Sequence, residues 1–410
     1  MTISRRKLGQ LGAAAGIGLA APAVQAQARE VVFAMASPLS GPWARLGELS
    51  VAGARFAVDE INSTGGIRSM GGARVRLATV DVGDSPEKAK TAAQRLLAQE
   101  PELVGGAGAY VSSFTLAVTE VTERASVPWL TLSYSDAITN RGFRFVYQSS
   151  PTADNQAANA LPTLMELARA ATGRAPQTMG IVMDNTASPV SFTRGLRAGG
   201  AERLGVRIVV DETFTPPLSD AGPVMQRVRA ARPDILLLLP TSVPDIKLTL
   251  EKLNEIGLGR GRLPIINNGG PMGSPDLLRL LGKDLLEGAM FITATWGMKG
   301  QEELIGRFRE KTNEPWMTQD SISNYAHMMI LREAVERAGT TDKEKVNDAI
   351  KALDLTSGPA AECFPTQRVK FDAQGRMEGA ALVIAQWQNG VPVSIYPTAG
   401  AMAQPVWPRR

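Results

Sequence analysis

The chain has 410 residues, 44% of them apolar and 20% charged. That is ordinary for a folded protein and long for a single core, so two domains are expected. The formal net charge of +4 falls to +1 without Arg5, Arg6 and Lys7, the only charged residues before Arg29. With no long basic run, a nucleic-acid partner is excluded. Cys363 is the one cysteine, which excludes an intramolecular disulfide and leaves no cysteine near the start to carry a lipid.

Arg5, Arg6 and Lys7 precede an uncharged stretch from Leu8 to Ala21. Val24-Gln25-Ala26 and Ala26-Gln27-Ala28 are small-x-small cleavage sites. This is the pattern of a secretory signal peptide over residues 1–28, cut after Ala26 or Ala28. The stretch is shorter than the roughly 20 residues that span a bilayer. Ser4-Arg5-Arg6-Lys7-Leu8 also resembles the twin-arginine export signal, with Leu8 where Phe is usual, so both export routes stay open. A periplasmic location is expected.

Taken in order, Val31 to Met35 reads as a strand. Leu49 to Ile61 is a helix with Val51, Ala54, Val58 and Ile61 on one face, stopped by Gly65-Gly66. Val75 to Val80 is a strand, Pro86 to Gln99 a helix, Leu103-Val104 a strand ending in Gly105-Gly106, Ser112 to Ala125 a helix, and Pro128 to Leu132 a strand. The rhythm restarts after Ser149. A helix covers Thr152 to Ala171; strands cover 179–183, 207–210, 235–239 and 263–266; helices cover 190–204, 224–231 and 246–256. The tail reads as helices over 301–311, 322–338 and 342–353, then a strand and turn over 368–376. Ala380 to Trp387 and Val391 to Tyr396 form a hairpin about Asn389-Gly390.

This alternation predicts an α/β protein of two doubly wound parallel-sheet lobes joined by a three-strand hinge, with a ligand in the cleft. Lobe 1 is expected to be 29–149 with about 294–360, and lobe 2 to be 150–293 with about 361–400. Residues 401–410 are expected to be a loose tail. The crossings fall near Ser149, Thr293 and Ser357 to Cys363.

The inventory of reactive groups argues against an enzyme. His327 is the only histidine and lies in an apolar helical run. No G-x-S-x-G elbow, zinc spacing or P-loop is present, and Gly105-Gly106-Ala107-Gly108 lacks the rest of a dinucleotide fingerprint. No cofactor and no metal are expected. What remains is a set of small and polar residues at the carboxyl ends of strands, where open α/β sheets bind ligands. Ser112 opens a helix, so its hydroxyl and nearby amides suit a carboxylate. A plain helix start is the other reading of Ser112.

Several segments carry a resemblance. They are Ala36 to Pro42; Gly53 to Asn62 with Gly65-Gly66-Ile67; Val80-Asp81 with Asp84 to Ala89; Pro128 to Ser133 with Arg141-Gly142-Phe143; and Phe371 to Arg376. In that order they resemble the branched-chain amino-acid and amide binding proteins of bacterial ABC importers, which have the periplasmic-binding type I fold. The resemblance implies the substrate-binding component of an importer, a small-molecule ligand, an ABC permease in the inner membrane as partner, and a monomer. It places the ligand carboxylate at Ser112 and Ser113 and at Ser133, Tyr134 and Ser135. It puts an aromatic wall at Trp43, and second-lobe contacts at Asn185, Thr241, Asn268 and Gly269. Asn267 to Gly270 holds no acid where the family's amino-acid binders pair the ligand ammonium. That favours an aromatic or other organic acid over an amino acid, with Asp154 or Asp184 as substitute partners. A ligand-sensing regulatory receptor of the same fold is the alternative.

Overall fold

Every residue of the first strand, Val31–Ser37 (β1), is buried, as a strand covered by helices on both faces must be. In this computed structural model, which describes residues 30–407, β1 is followed by α1 (Ala44–Ser63), β2 (Val75–Asp81), α2 (Pro86–Gln99), β3 (Leu103–Gly108), α3 (Ser112–Arg124), β4 (Trp129–Thr131) and β5 (Val146–Gln148). The five strands form a parallel sheet in the order β2-β1-β3-β4-β5. The predicted leader, 1–28, lies outside the described residues.

The second lobe begins with α4 (Ala153–Thr172), β6 (Thr178–Asp184), α5 (Ala187–Gly195), α6 (Ala201–Arg203), β7 (Arg207–Phe214), α7 (Gly222–Ala231), β8 (Ile235–Leu239) and α8 (Val243–Glu255). It continues with β9 (Ile265–Asn268), α9 (Pro275–Leu281), α10 (Lys283–Leu286) and β10 (Met290–Thr293). The chain then returns to the first sheet as α11 (Glu302–Thr312), α12 (Gln319–Ala338) and α13 (Lys343–Lys351). It ends on the second sheet with β11 (Val383–Gln388) and β12 (Val391–Tyr396). The seven-stranded order is β12-β11-β10-β9-β8-β6-β7. The pairings of β11 with β10 and with β12 are antiparallel, the hairpin turning through Asn389 and Gly390 at φ of 55° and 83°, the positive values that a two-residue turn of this kind needs.

Helix α12 seats against α1 at Gly53, where a Cβ would lie 2.1 Å from the Ser321 carbonyl oxygen. A side chain at 53 would push the two helices apart. The buried core of this region joins Phe33, Phe56, Tyr325 and Leu331 with Cys363, Phe364, Phe371 and Met377.

That packing moves one expected boundary. Residues 361–377 belong with the first sheet: Gln148 bridges Arg376, and the amide of Gln148 donates to the Gly375 carbonyl at 2.7 Å. The third crossing therefore lies between Met377 and Val383, after the apolar cluster ends, and not at Ser357 to Cys363. The expected loose tail is also corrected through Trp407, which is buried in the second lobe's core. There Gln386 accepts from the Val406 amide at 2.9 Å and Gln388 donates to the Gln404 carbonyl at 2.8 Å. The helix expected over 190–204 breaks at Ala198 and Gly199, the latter at φ of 86°.

Candidate functional site

The two sheets present their strand ends to each other, and the facing loops line a small cavity of about 30 Å3 that is partly open to solvent. Its first-lobe wall is Tyr110, Val111, Ser112, Leu132 and Tyr134. Its second-lobe wall is Ser188, Thr241, Asn268, Gly269, Gly270 and Pro271. Gln319 and Asp320, at the start of α12, close it where the chain returns between lobes.

Ser112 begins α3 as its apolar positions Phe114 and Val118 turn into the core. Its Oγ accepts from the amides of Tyr134 and Ser135, both at 3.2 Å. The hydroxyl is thus held by two donors in the loop after β4, and its own proton is left to be donated. Tyr134 packs its ring on the cavity and its phenol donates to Gln319 Oε1; that oxygen also accepts from the Ala294 amide at 2.8 Å.

On the other wall, Asn268 ends β9. Its amide nitrogen donates to Gln156 Oε1 at 2.6 Å, and its Oδ1 accepts from Ser188 at 3.2 Å. Gly269 follows at φ of 145°, a backbone conformation that costs a side chain strain. Thr241 donates its amide and its hydroxyl to Asp184 Oδ2, each at 2.7 Å.

The remaining residues singled out from sequence lie off the cavity. Trp43 is buried between Phe114, with ring centroids 5.2 Å apart, and Thr241, to whose Oγ1 its indole N–H donates at 3.2 Å. It fastens one lobe to the other and is no wall of the cavity. Ser113 accepts from the Ala187 amide at 3.1 Å, and Ser135 meets Ser191 at 3.1 Å, both across the lobes. Ser133 is occupied by the Ala109 and Tyr110 carbonyls at 2.7 and 2.9 Å. Asn185 is exposed and donates to Thr215 at 2.9 Å.

The acids proposed from sequence as ammonium partners are already engaged. Asp184 accepts four hydrogen bonds from Thr186 and Thr241. Asp154 pairs with Arg194, a half-exposed cation outside the cavity. The acid that does line the cavity is Asp320, which sequence reading missed. It has no exposed surface, and among the described residues neither of its oxygens has a hydrogen-bond partner. Burial pushes its carboxyl up to about 7. The signal that could have found it is Thr318: its Oγ1 accepts from the Ser321 amide and starts α12 ahead of the first apolar residue.

Among the described residues no group of three or more His, Cys, Asp or Glu is placed to hold a metal ion, and no helix is long and apolar enough to cross a membrane. His327 is wholly buried and hydrogen-bonds Ser149 and Asn324, at 2.8 and 3.2 Å.

Two α/β lobes with a cavity between their strand ends define a cleft receptor. The chain belongs to the periplasmic binding protein family, whose sequence model matches residues 30–391. Among its relatives is Leu/Ile/Val-binding protein homolog 8 of Brucella suis, 28% identical over 407 residues, 96% of this chain and 97% of that one. Homolog 7 of Brucella abortus is 27% identical over 95% of this chain and 98% of its own. Similar solved structures include a leucine binding protein of Thermotoga maritima, with a TM-score of 0.74 and 20% identity, covering 89% of this chain and 97% of that one. Another is a solute binding protein of R. palustris in complex with benzoate, with a TM-score of 0.75 and 14% identity over 92% and 98%. At these identities the structural likeness carries the fold alone.

Proposed function

We propose that this protein is the exported substrate-binding component of an ABC importer, and that it captures a small carboxylate-bearing solute between its lobes for delivery to a membrane permease. The observation that carries the reading is Ser112. Its hydroxyl lines the cavity at the first turn of α3, with its lone pairs engaged by two amides and its proton free for an acceptor. A carboxylate set there meets a hydroxyl donor and the positive end of a helix together. Closure of the lobes removes water from that contact and strengthens it.

The family and the Leu/Ile/Val-binding names of the relatives support a transport role. The signal pattern over residues 1–28 supports export. Among solutes with a carboxylate, branched-chain amino acids and aromatic acids are the classes that these relatives and neighbours name.

The test is a thermal-shift screen of small carboxylates, followed by titration calorimetry. A true ligand at ~100 times its Kd stabilises by about 2.7 kcal/mol. Ser112→Ala removes one hydrogen bond to a charged group, worth roughly 1.5–3 kcal/mol, so affinity falls about tenfold or more. A ligand whose affinity is unchanged in Ser112→Ala would return that serine to a plain helix start.

A further inference from the structure

We infer that Asp320 is the counter-ion for an ammonium group on the ligand, so that the captured solute is an amino-bearing acid and not a simple organic acid. This rests on the reading of the cavity as the solute site. Asp320 is wholly buried, lines the same cavity as Ser112, and has both oxygens unpartnered among the described residues. The residues that line the cavity include no Lys, Arg or His. A carboxylate withdrawn from water without a partner is costly; it is relieved by holding a proton, or by a cation or strong donor that enters the cavity and takes that proton's place.

The surroundings hold that carboxylate in place and keep other charge away. Gly270 leaves it room, since a Cβ there would lie 2.7 Å from Asp320 Oδ2. The titratable groups that face it are the phenols of Tyr110, from the loop after β3, and Tyr134, from the loop after β4. Both are held above the usual tyrosine range by burial and by the nearby Asp320 charge, so both stay neutral. Tyr110 and Tyr134 each spend their proton inside the protein, on the Trp43 carbonyl and on Gln319. The cavity lining therefore offers a hydroxyl donor, Ser112, and a carboxyl acceptor, Asp320, the two kinds of group that a zwitterion needs. Asn267, which stands where an acid was expected, turns its amide away to the Leu238 carbonyl at 2.7 Å. The acid is supplied by α12 instead.

The experiment uses the mature protein freed of bound solute and three matched pairs: alanine with propanoate, leucine with 4-methylpentanoate, and phenylalanine with 3-phenylpropanoate. Calorimetry should show at least one amino member binding about 100-fold or more tighter than its deaminated partner. Asp320→Asn should reduce that preference to about threefold or less. In the wild type, affinity for the amino member should rise by up to about tenfold per pH unit below 7 and level off above it, because binding expels the Asp320 proton. That pH profile and the paired affinities need no variant, so they decide the matter even if Asp320→Asn folds poorly.

A deaminated acid that binds as tightly as its amino partner, and still depends on Ser112, overturns the role of Asp320 while the cleft reading stands. Affinity that falls as pH rises through 7 does the same, since it means a protonated Asp320 donating to the ligand. Binding of no pair at all, or binding indifferent to both Ser112→Ala and Asp320→Asn, overturns the reading of this cavity as the solute site and this inference with it.

Discussion

The indole N–H of Trp43 donates to Thr241 Oγ1 at 3.2 Å, and that same hydroxyl donates to Asp184 Oδ2 at 2.7 Å. One hydrogen-bonded line thus runs from the first loop of one lobe to a buried carboxylate at the end of β6 in the other. Asp184 is saturated by Thr186 and Thr241, so it serves as an anchor that fixes Thr241 for Trp43.

Trp43→Phe keeps an aromatic ring against Phe114 and removes the indole donor together with part of the buried ring. One neutral hydrogen bond is worth about 1 kcal/mol net, so affinity for the captured solute should fall about fivefold, with the loss in the dissociation rate. Stopped-flow dissociation measures it. An unchanged rate would mean that this contact persists when the lobes part.

Gly270→Ala sets a methyl against Asp320 Oδ2 and, at 3.4 Å, against Gln319 Cβ. The backbone at 270 is not in the left-handed region, so the fold tolerates the change, and the damage falls on the cavity corner. Affinity should drop by about tenfold or more with a fall in melting temperature of only a few degrees. Equal affinity would show that the ligand does not use this corner.

The pH dependence of stability has two opposed parts. Burial raises the Asp320 carboxyl to about 7 from an unfolded value of ~3.9. The folded state therefore holds a proton that the unfolded state has released, and stability falls as pH rises from ~4 to ~7. Burial lowers His327 to about 3 from ~6.5. The unfolded state then binds the extra proton, and stability rises with pH over ~3 to ~6.5. The two slopes offset each other below ~6.5, so the wild type alone is uninformative there. The difference between Asp320→Asn and wild type isolates the acid. Urea unfolding of the ligand-free proteins should show the variant gaining on the wild type between pH 5 and 7.5, by on the order of 2–3 kcal/mol. A flat difference would mean that Asp320 titrates in its ordinary range.

Much of this was legible in the sequence because long, strongly periodic segments decide themselves. Helix α2 runs from Pro86 to Gln99 as read, and β8 covers Ile235–Leu239 as read. Ser112, Tyr134, Thr241, Asn268 and Gly269 lie at strand ends and were singled out through the family resemblance, and the structure brings all five to one cavity. The short strands β5 and β10 were not read as strands. Trp43 and Asn185 were misplaced because a loop position does not say which way its side chain turns. Asp320 was missed for a different reason. Helix α12 is buried on all sides from Gln319 to Leu331, so it has no polar face to set its phase, and its polar first turn reads as loop.

In the proposed mode of capture, the solute is held by closure of two lobes. In the form described here Ser113 and Ala187, Ser135 and Ser191, and Trp43 and Thr241 are already joined across the cleft. Small-angle X-ray scattering of the solute-free and saturated protein, in matched buffer, tests it most directly. The solute-free protein should have the larger radius of gyration, and the saturated profile should match the closed form. Identical profiles, with binding confirmed in the same samples, would contradict it.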